Sequence, residues 1–385
     1  MKKLLYFLVV LLIILAGLVT FYSPNTTLIS PLGIPQINVT KNIDQTKYVI
    51  LGFAPYWNMK KLTLDSTSHI THLAYFNLHL KSDGSLFKRV NSREEDPGFT
   101  NYKRLLNKTF TISPKPLILT FMPESQDALI AMISSSTLRA QTIKTIRELV
   151  NESGAVGINI DFEPLGDIAS STKNNFTLFI NELRSMLDEL DEPEKLLTVS
   201  TYASAAVRPR IWDLEALSNH VDYFVIMTYD YTMPASLSSG PNSPLRGSGD
   251  LFEHDIVKNI SEITKLVPSS KILLGIPFYG YEWDTVDSSK YSPTDSKGSM
   301  ASLERVQQLL DDKTLELVWD RNSLTPYGIS TSSGQVSQIY FENETSIRLK
   351  IEFVKSASLG GIAIWALGYE GNNSWVWPTI NRLNQ

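Results

Sequence analysis

The sequence predicts an α/β fold, a (β/α)8 TIM barrel carrying a small α+β subdomain after its seventh strand, and three observations predict it. From Lys47 onward, short apolar runs rich in β-branched residues alternate with longer segments of helical period, the pattern of βα units around a parallel sheet. Eight such runs fall within about 340 residues, the size of one barrel with an insertion. Between the seventh run and its returning helix lie about sixty residues, Trp283 to Phe341, too long a stretch to lack structure of its own.

Taken in order, the expected strands are 48–54, 70–78, 116–122, 157–163, 196–202, 222–229, 271–278 and 361–366, each an apolar run of strand length. Helical period marks 126–134, 137–152 with Thr137 as its cap, 172–190, 252–266 and 344–358. Inside the insertion, 283–341, strand-like pieces occur at Leu315–Trp319, Tyr327–Ser330 and Val336–Tyr340. No internal repeat or low-complexity block interrupts this order.

Ahead of the barrel, Lys2 and Lys3 precede an uncharged apolar run, Leu4 to Tyr22, which at ~1.5 Å per residue nearly spans the hydrocarbon core of a bilayer. The basic flank directs the remaining chain outward. Small residues in an A-x-A-like cleavage pattern are missing from Ala16-Gly17-Leu18 and Val19-Thr20-Phe21, which favours a retained membrane anchor over a cleaved signal peptide. The division expected is therefore 1–22 anchor or signal, 23–46 linker and 47–383 catalytic barrel, with the barrel extracellular or at the cell surface. Eight N-x-S/T sequons, at Asn25, Asn38, Asn107, Asn151, Asn175, Asn259, Asn343 and Asn372, agree with export.

Composition excludes several classes of function. With 35 Lys+Arg against 40 Asp+Glu, the net charge of -5 provides no basic field for nucleic acid. The chain contains 0 Cys, which removes disulfides, thiolate nucleophiles and sulfur-ligated zinc. There is no G-x-S-x-G and no P-loop, and Gly247-Ser248-Gly249 is too short to cradle a phosphate. His69 and His72 lack the H-E-x-x-H spacing and sit at the start of a strand, so structural roles are expected; neither a metal nor any other cofactor is implied.

The chemistry concentrates in Gly157-Ile158-Asn159-Ile160-Asp161-Phe162-Glu163-Pro164. Strand alternation places Asn159, Asp161 and Glu163 on one face and Ile158, Ile160 and Phe162 on the other. In a barrel the apolar set faces the helices and the polar set points inward, with Glu163 at the C-terminal rim, where barrel active sites lie. Two further strands end in polar or aromatic groups at that rim, Phe224 to Tyr231 in Tyr229-Asp230 and Gly361 to Glu370 with Trp365 closing the strand. A tryptophan there offers an apolar plane to the C–H face of a sugar.

Together these stretches resemble family 18 of the glycoside hydrolases, the chitinase family. Its strand-4 signature, Asp-Gly-x-Asp-x-Asp-x-Glu, aligns with Val156 to Glu163. Similar matches are Ile70-Thr71-His72, Met227-Thr228-Tyr229-Asp230, Gly240 to Leu245, Gly275 to Gly280 and Gly361 to Trp365, all in barrel order. The insertion resembles that of many members, with Phe341-Glu342-Asn343, Ser346 and Lys350 as its exit. Two departures stand out: Asn159 and Val156 replace family aspartates, which resembles the spore-cortex peptidoglycan glucosaminidases, and strand 3 reads Leu119-Thr120-Phe121-Met122 where chitinases usually carry Ser-x-Gly-Gly.

The resemblance implies a monomeric, retaining, substrate-assisted glycosidase acting on N-acetylglucosamine-containing polysaccharide, chitin or chitooligosaccharide, with peptidoglycan as the alternative and N-glycan more distant. It assigns Glu163 as general acid, Asp161 and Tyr229 as partners of the sugar's acetamido group, and Asp230, Asn159 and Met227 as sugar-binding residues. Trp365 would floor the subsite, while Tyr56, Trp57, Tyr281 and Trp283 are candidate platforms, Trp57 being equally compatible with packing. A non-catalytic lectin on the same fold typically loses the acid, so retention of Glu163 favours an enzyme.

Overall fold

The structure, a computed structural model, describes residues 48–190, 194–249, 253–331 and 334–385. The expected membrane segment and linker lie outside the described residues, and among the described residues no helix is long and apolar enough to cross a membrane.

Seven consecutive parallel strands, β1 (Val49–Pro55), β2 (His72–Leu80), β3 (Leu117–Pro123), β4 (Gly157–Ile160), β5 (Leu196–Tyr202), β6 (Tyr223–Met227) and β7 (Ile272–Pro277), form a sheet that β13 (Gly361–Trp365) closes. The order is β1-β13-β7-β6-β5-β4-β3-β2, so the expected eight-stranded barrel forms. Around it run α1 (Leu64–Ser68), α2 (Pro97–Leu106), α3 (Gln126–Ile133), α4 (Ser136–Ser153), α5 (Ser170–Asp188), α6 (Leu214–Leu217) and α7 (Ile256–Ile263). After the insertion's α8 (Leu303–Asp311) come α9 (Glu344–Ser356) and α10 (Val376–Asn381).

Alternation in the fourth strand falls as the sequence requires. Phe162 is fully buried against α5, its ring 5.9 Å from Phe176 and 5.8 Å from Phe179, and burying such a side chain contributes about 2–3 kcal/mol. The opposite face enters a barrel interior that is apolar around Leu51, Phe53, Phe76, Val225 and Leu273 and polar where Thr120, Asn159, Thr198 and Ser200 meet. The strand is shorter than expected. Its ladder ends at Ile160, with one further bond from Asp161 N to Phe121 O at 3.0 Å, which leaves Glu163 on the connecting segment.

Several boundaries differ for local reasons. The cap of α4 is Ser135, whose hydroxyl accepts from Leu138 N at 3.3 Å, because an N-cap must lie in extended backbone while Thr137 is already helical. Similarly, α7 is capped by Asp255, whose carboxylate accepts from Lys258 N, and so begins at Ile256 rather than at 252. The insertion begins earlier than expected, at Tyr279. Strands β8 (Tyr279–Thr285), β9 (Ser299–Ser302), β10 (Glu316–Asp320), β11 (Thr325–Ser330) and β12 (Val336–Tyr340) form an antiparallel sheet ordered β10-β11-β12-β8-β9. Gly280 permits the close pairing of β8 with β12, since a Cβ there would lie 1.7 Å from Tyr340 O.

The histidines of the second-strand region are structural. His69 stacks on Trp377 at 5.3 Å and contacts Asp65 and Asn381, while His72 Nδ1 lies 3.0 Å from the Thr71 hydroxyl.

Candidate active site

Strand ends from all round the barrel converge on one cavity of about 140 Å3, lined by Phe53, Phe76, Asp161, Glu163, Ser200, Met227, Tyr229, Asp230, Tyr279 and Trp365. Six of the sequence-predicted residues thus meet there. Of these, Glu163, Met227, Tyr229 and Asp230 also line a second cavity of about 430 Å3, which extends to Leu165, Tyr202, Arg210, Met233 and His254.

The two carboxyls that follow the fourth strand have different surroundings. Asp161 is 4% exposed, and its Oδ1 has no hydrogen-bond partner among the described residues. Burial first, and then the charge of Glu163, raises its pKa well above the ordinary range, against a smaller opposing contribution from Ser200. Burial likewise raises Glu163 to about 6, with Asp230 adding to the rise and a hydrogen bond from Tyr202 opposing it. A carboxyl poised near 6 holds a proton that it can give up at mildly acidic pH.

Tyr202 ends β5 beside Glu163, its ring 5.0 Å from Trp212 on one side and beneath the Arg210 guanidinium at 4.6 Å on another. Sequence reasoning missed it, although its place at the end of the neighbouring strand was the available signal. Ser200, Tyr279, Phe53 and Phe76 were missed as well, being ordinary members of apolar or Ser/Thr-rich runs.

Asp230 follows β6 in a left-handed conformation, φ 62°, which turns its carboxylate back over the barrel. Tyr279 and Tyr281 donate to Oδ1 at 2.5 and 2.7 Å, and its own N–H donates to Asn242 Oδ1 at 2.8 Å. Burial raises its pKa, and the two tyrosine hydroxyls pull it back. The insertion's first strand therefore fixes an acid of the barrel rim.

Five predicted residues stand elsewhere. Asn159 is fully buried one layer below, its Nδ2 donating to Ser200 at 3.0 Å and its Oδ1 accepting from Thr198 at 2.8 Å, so it faces neighbours rather than the cavity. Tyr281 is 8% exposed and holds Asp230, and Trp283, at 1%, donates to Pro234 O; both sit within the aromatic core of the insertion because β8 begins before them. Tyr56 lies at the end of β1, outside both cavities, with its ring 4.8 Å from Trp57.

Trp57 is the exposed member of this group, at 47%, with its ring 6.3 Å from Trp365 and its Nε1 donating to the Tyr369 hydroxyl at 3.2 Å. Trp365 itself rests on Phe76 at 4.5 Å and Phe53 at 5.8 Å, and Phe278 N donates to its carbonyl. Trp365, Trp57 and Tyr56 thus form an aromatic shelf leading out of the smaller cavity. Among the described residues no group of three or more His, Asp, Glu or Cys is arranged to hold a metal.

Comparisons with known proteins agree with this geometry. Residues 44–370 match the model of glycosyl hydrolases family 18. The chain is similar to the cortical fragment-lytic enzyme of Bacillus subtilis, 22% identical over 330 residues, which cover 83% of this chain and 69% of that enzyme. It is also similar to di-N-acetylchitobiase of Rattus norvegicus, 22% identical over 259 residues, with 62% and 68% covered. The class V chitinase of Nicotiana tobaccum shares the fold, with a TM-score of 0.75 at 20% identity over 88% of this chain and 99% of that one. Because the family match spans most of the barrel and its insertion, this chain belongs to family 18 of the glycosyl hydrolases and is a glycosidase.

Proposed function

We propose that the chain hydrolyses the β-1,4 bond on the reducing side of N-acetylglucosamine in a polysaccharide, with Glu163 as the acid and the sugar's own acetamido oxygen as the nucleophile. The observation that carries this reading is the pairing of Glu163, raised to about 6, with the buried, partly unpartnered Asp161 above the Trp365 floor. In the first step Glu163 gives its proton to the departing O4, the C1–O4 bond breaks, and the acetamido oxygen bonds to C1 to form an oxazolinium ion. Asp161 accepts from the acetamido N–H and offsets the developing positive charge, and the Tyr229 hydroxyl donates to the acetamido oxygen. Ionised Glu163 then takes a proton from the water that opens the ring from the same face, which restores the acid and retains the β configuration. Asp230, Met227 and the aromatic shelf hold the sugar chain.

The minimal substrate is a chitooligosaccharide; structures of the tobacco and Cycas revoluta chitinases include complexes with NAG4 and (GlcNAc)3. Peptidoglycan is the second reading, favoured by Asn159 and by the similarity to the cortical fragment-lytic enzyme. Glu163→Gln tests the acid directly: kcat should fall by about 10^2–10^4-fold with the unfolding temperature unchanged. Hydrolysis close to the wild-type rate would remove Glu163 from the mechanism.

The apolar run Leu4–Tyr22 supports an exported chain held at the membrane, although not every sequon supports it equally. Asn259 is 2% exposed and accepts from the Tyr231 hydroxyl, so a glycan could not be attached there without unfolding that contact. The full chain should sediment with membranes and resist high-salt extraction; a mature N-terminus near residue 24 would replace anchoring by secretion.

A further inference from the structure

The larger cavity holds a charge that chitin does not need. Arg210, in the loop after β5, lines it in a left-handed conformation, φ 46°. The Tyr202 ring lies 4.6 Å beneath its guanidinium, and one terminal nitrogen donates to Pro164 O in the segment that carries Glu163. Among the described residues it forms no ion pair, in contrast to Arg139 with Glu182 or Arg184 with Asp188 and Asp222. A guanidinium has five N–H donors, so a cation held by a ring and one carbonyl retains a planar edge for a carboxylate.

The position of this cation follows from the reaction. The acid must lie between the sugar that reacts and the sugar that leaves. Asp161 and Trp365 line only the smaller cavity, and Tyr229 stands where the two cavities adjoin, so the extension of the larger one, past Tyr202 to Arg210 and Leu165, is on the leaving-group side. Leu165 and Met233 are exposed there, at 69% and 53%, and give it apolar walls beside the cation.

We propose that Arg210 recognises a carboxylate on the leaving sugar, namely that of a 3-O-lactyl N-acetylglucosamine, the muramic acid unit of peptidoglycan strands freed of their stem peptides, since an attached peptide turns that carboxylate into a neutral amide. The lactyl ether stands on O3, next to the O4 that receives the proton of Glu163. It thus carries a carboxylate and a methyl group to within a few bonds of the scissile linkage, matching a cation flanked by Leu165 and Met233. Chitin presents only a neutral hydroxyl at that position. The inference rests on the glycosidase reading above and selects, within it, peptidoglycan strands whose muramic acid no longer carries a peptide.

The test compares kcat/KM for two synthetic tetrasaccharides with alternating N-acetylglucosamine and muramic acid units, one with free lactyl carboxylates and one with lactyl amides, alongside chitotetraose. The wild-type chain should favour the carboxylate over the amide by at least about tenfold, as a charge-assisted bidentate contact implies. Arg210→Gln should bring that ratio near one whatever it does to absolute rates, and Arg210→Lys should retain part of it. A residue that merely braces Pro164 and Tyr202 would lower both rates and leave the ratio standing. A wild-type ratio near one, or a ratio that survives in Arg210→Gln, overturns the proposal. Preference for oligomers whose lactyl groups bear stem peptides also overturns it, by moving the recognised anion to the peptide. Turnover of chitotetraose without either muramyl substrate defeats this inference alone, whereas inertness towards all three defeats the glycosidase reading with it.

Discussion

Glu163 reaches the neutral range because burial penalises its charge more than the Tyr202 hydroxyl relieves it. An acid must be protonated to act, so kcat/KM should be sustained below a pH of about 6 and fall about tenfold per unit above it. In Tyr202→Phe the hydrogen bond that favours the ionised form is gone, and the alkaline limb should move to higher pH. A limb that stays in place, or moves down, would show that Tyr202 does not set the acidity of Glu163. Glu163, Asp161 and Tyr229 were legible from the sequence, because strand alternation and the ends of the runs place them on the rim. The commitment of Asn159 to Thr198 and Ser200 was not legible, since it depends on the register of β4 against β5. Tyr202 carried a signal only in its place at the end of β5, and Arg210 carried none, for no local pattern tells which residue of a loop turns onto the segment that holds the acid.

At the scale of elements, the insertion bears on catalysis through β8, whose Tyr279 and Tyr281 fix Asp230. The insertion is joined to the barrel at its exit by a buried pair, Lys350 Nζ to Glu342 Oε2 at 2.6 Å, both side chains at or below 1% exposure. Burial lowers the pKa of Lys350 and raises that of Glu342, each opposed by the other's charge. Lys350→Met leaves the Glu342 carboxylate buried without its cation and should destabilise the fold by about 3–5 kcal/mol in denaturant titration. Adding Glu342→Gln should recover part of this loss, whereas a single variant as stable as wild type would mean that the pair carries no such weight. The exit motif was visible in sequence, and the structure makes a capping box of its Asn343 and Ser346. The start of the insertion was not, because Tyr279, Tyr281 and Trp283 alternate like a continuation of the seventh strand and only pairing with β12 separates them.

At the scale of the molecule, the barrel gathers residues far apart in sequence, from Phe53 to Trp365, around one reacting sugar. That order was legible because eight apolar runs, most followed by a helical segment, admit few other closures, and the motifs fall at their C-terminal ends. The central claim is that the substrate supplies the nucleophile. Removing the N-acetyl groups removes the attacking oxygen and its partners at Asp161 and Tyr229, so the loss should appear in kcat as well as in affinity. The decisive measurement is turnover of chitotetraose against its fully deacetylated counterpart at saturating concentration. The account predicts hydrolysis of the first and none detectable of the second; comparable kcat values for the two would show that Asp161 and Glu163 act as a conventional carboxylate pair.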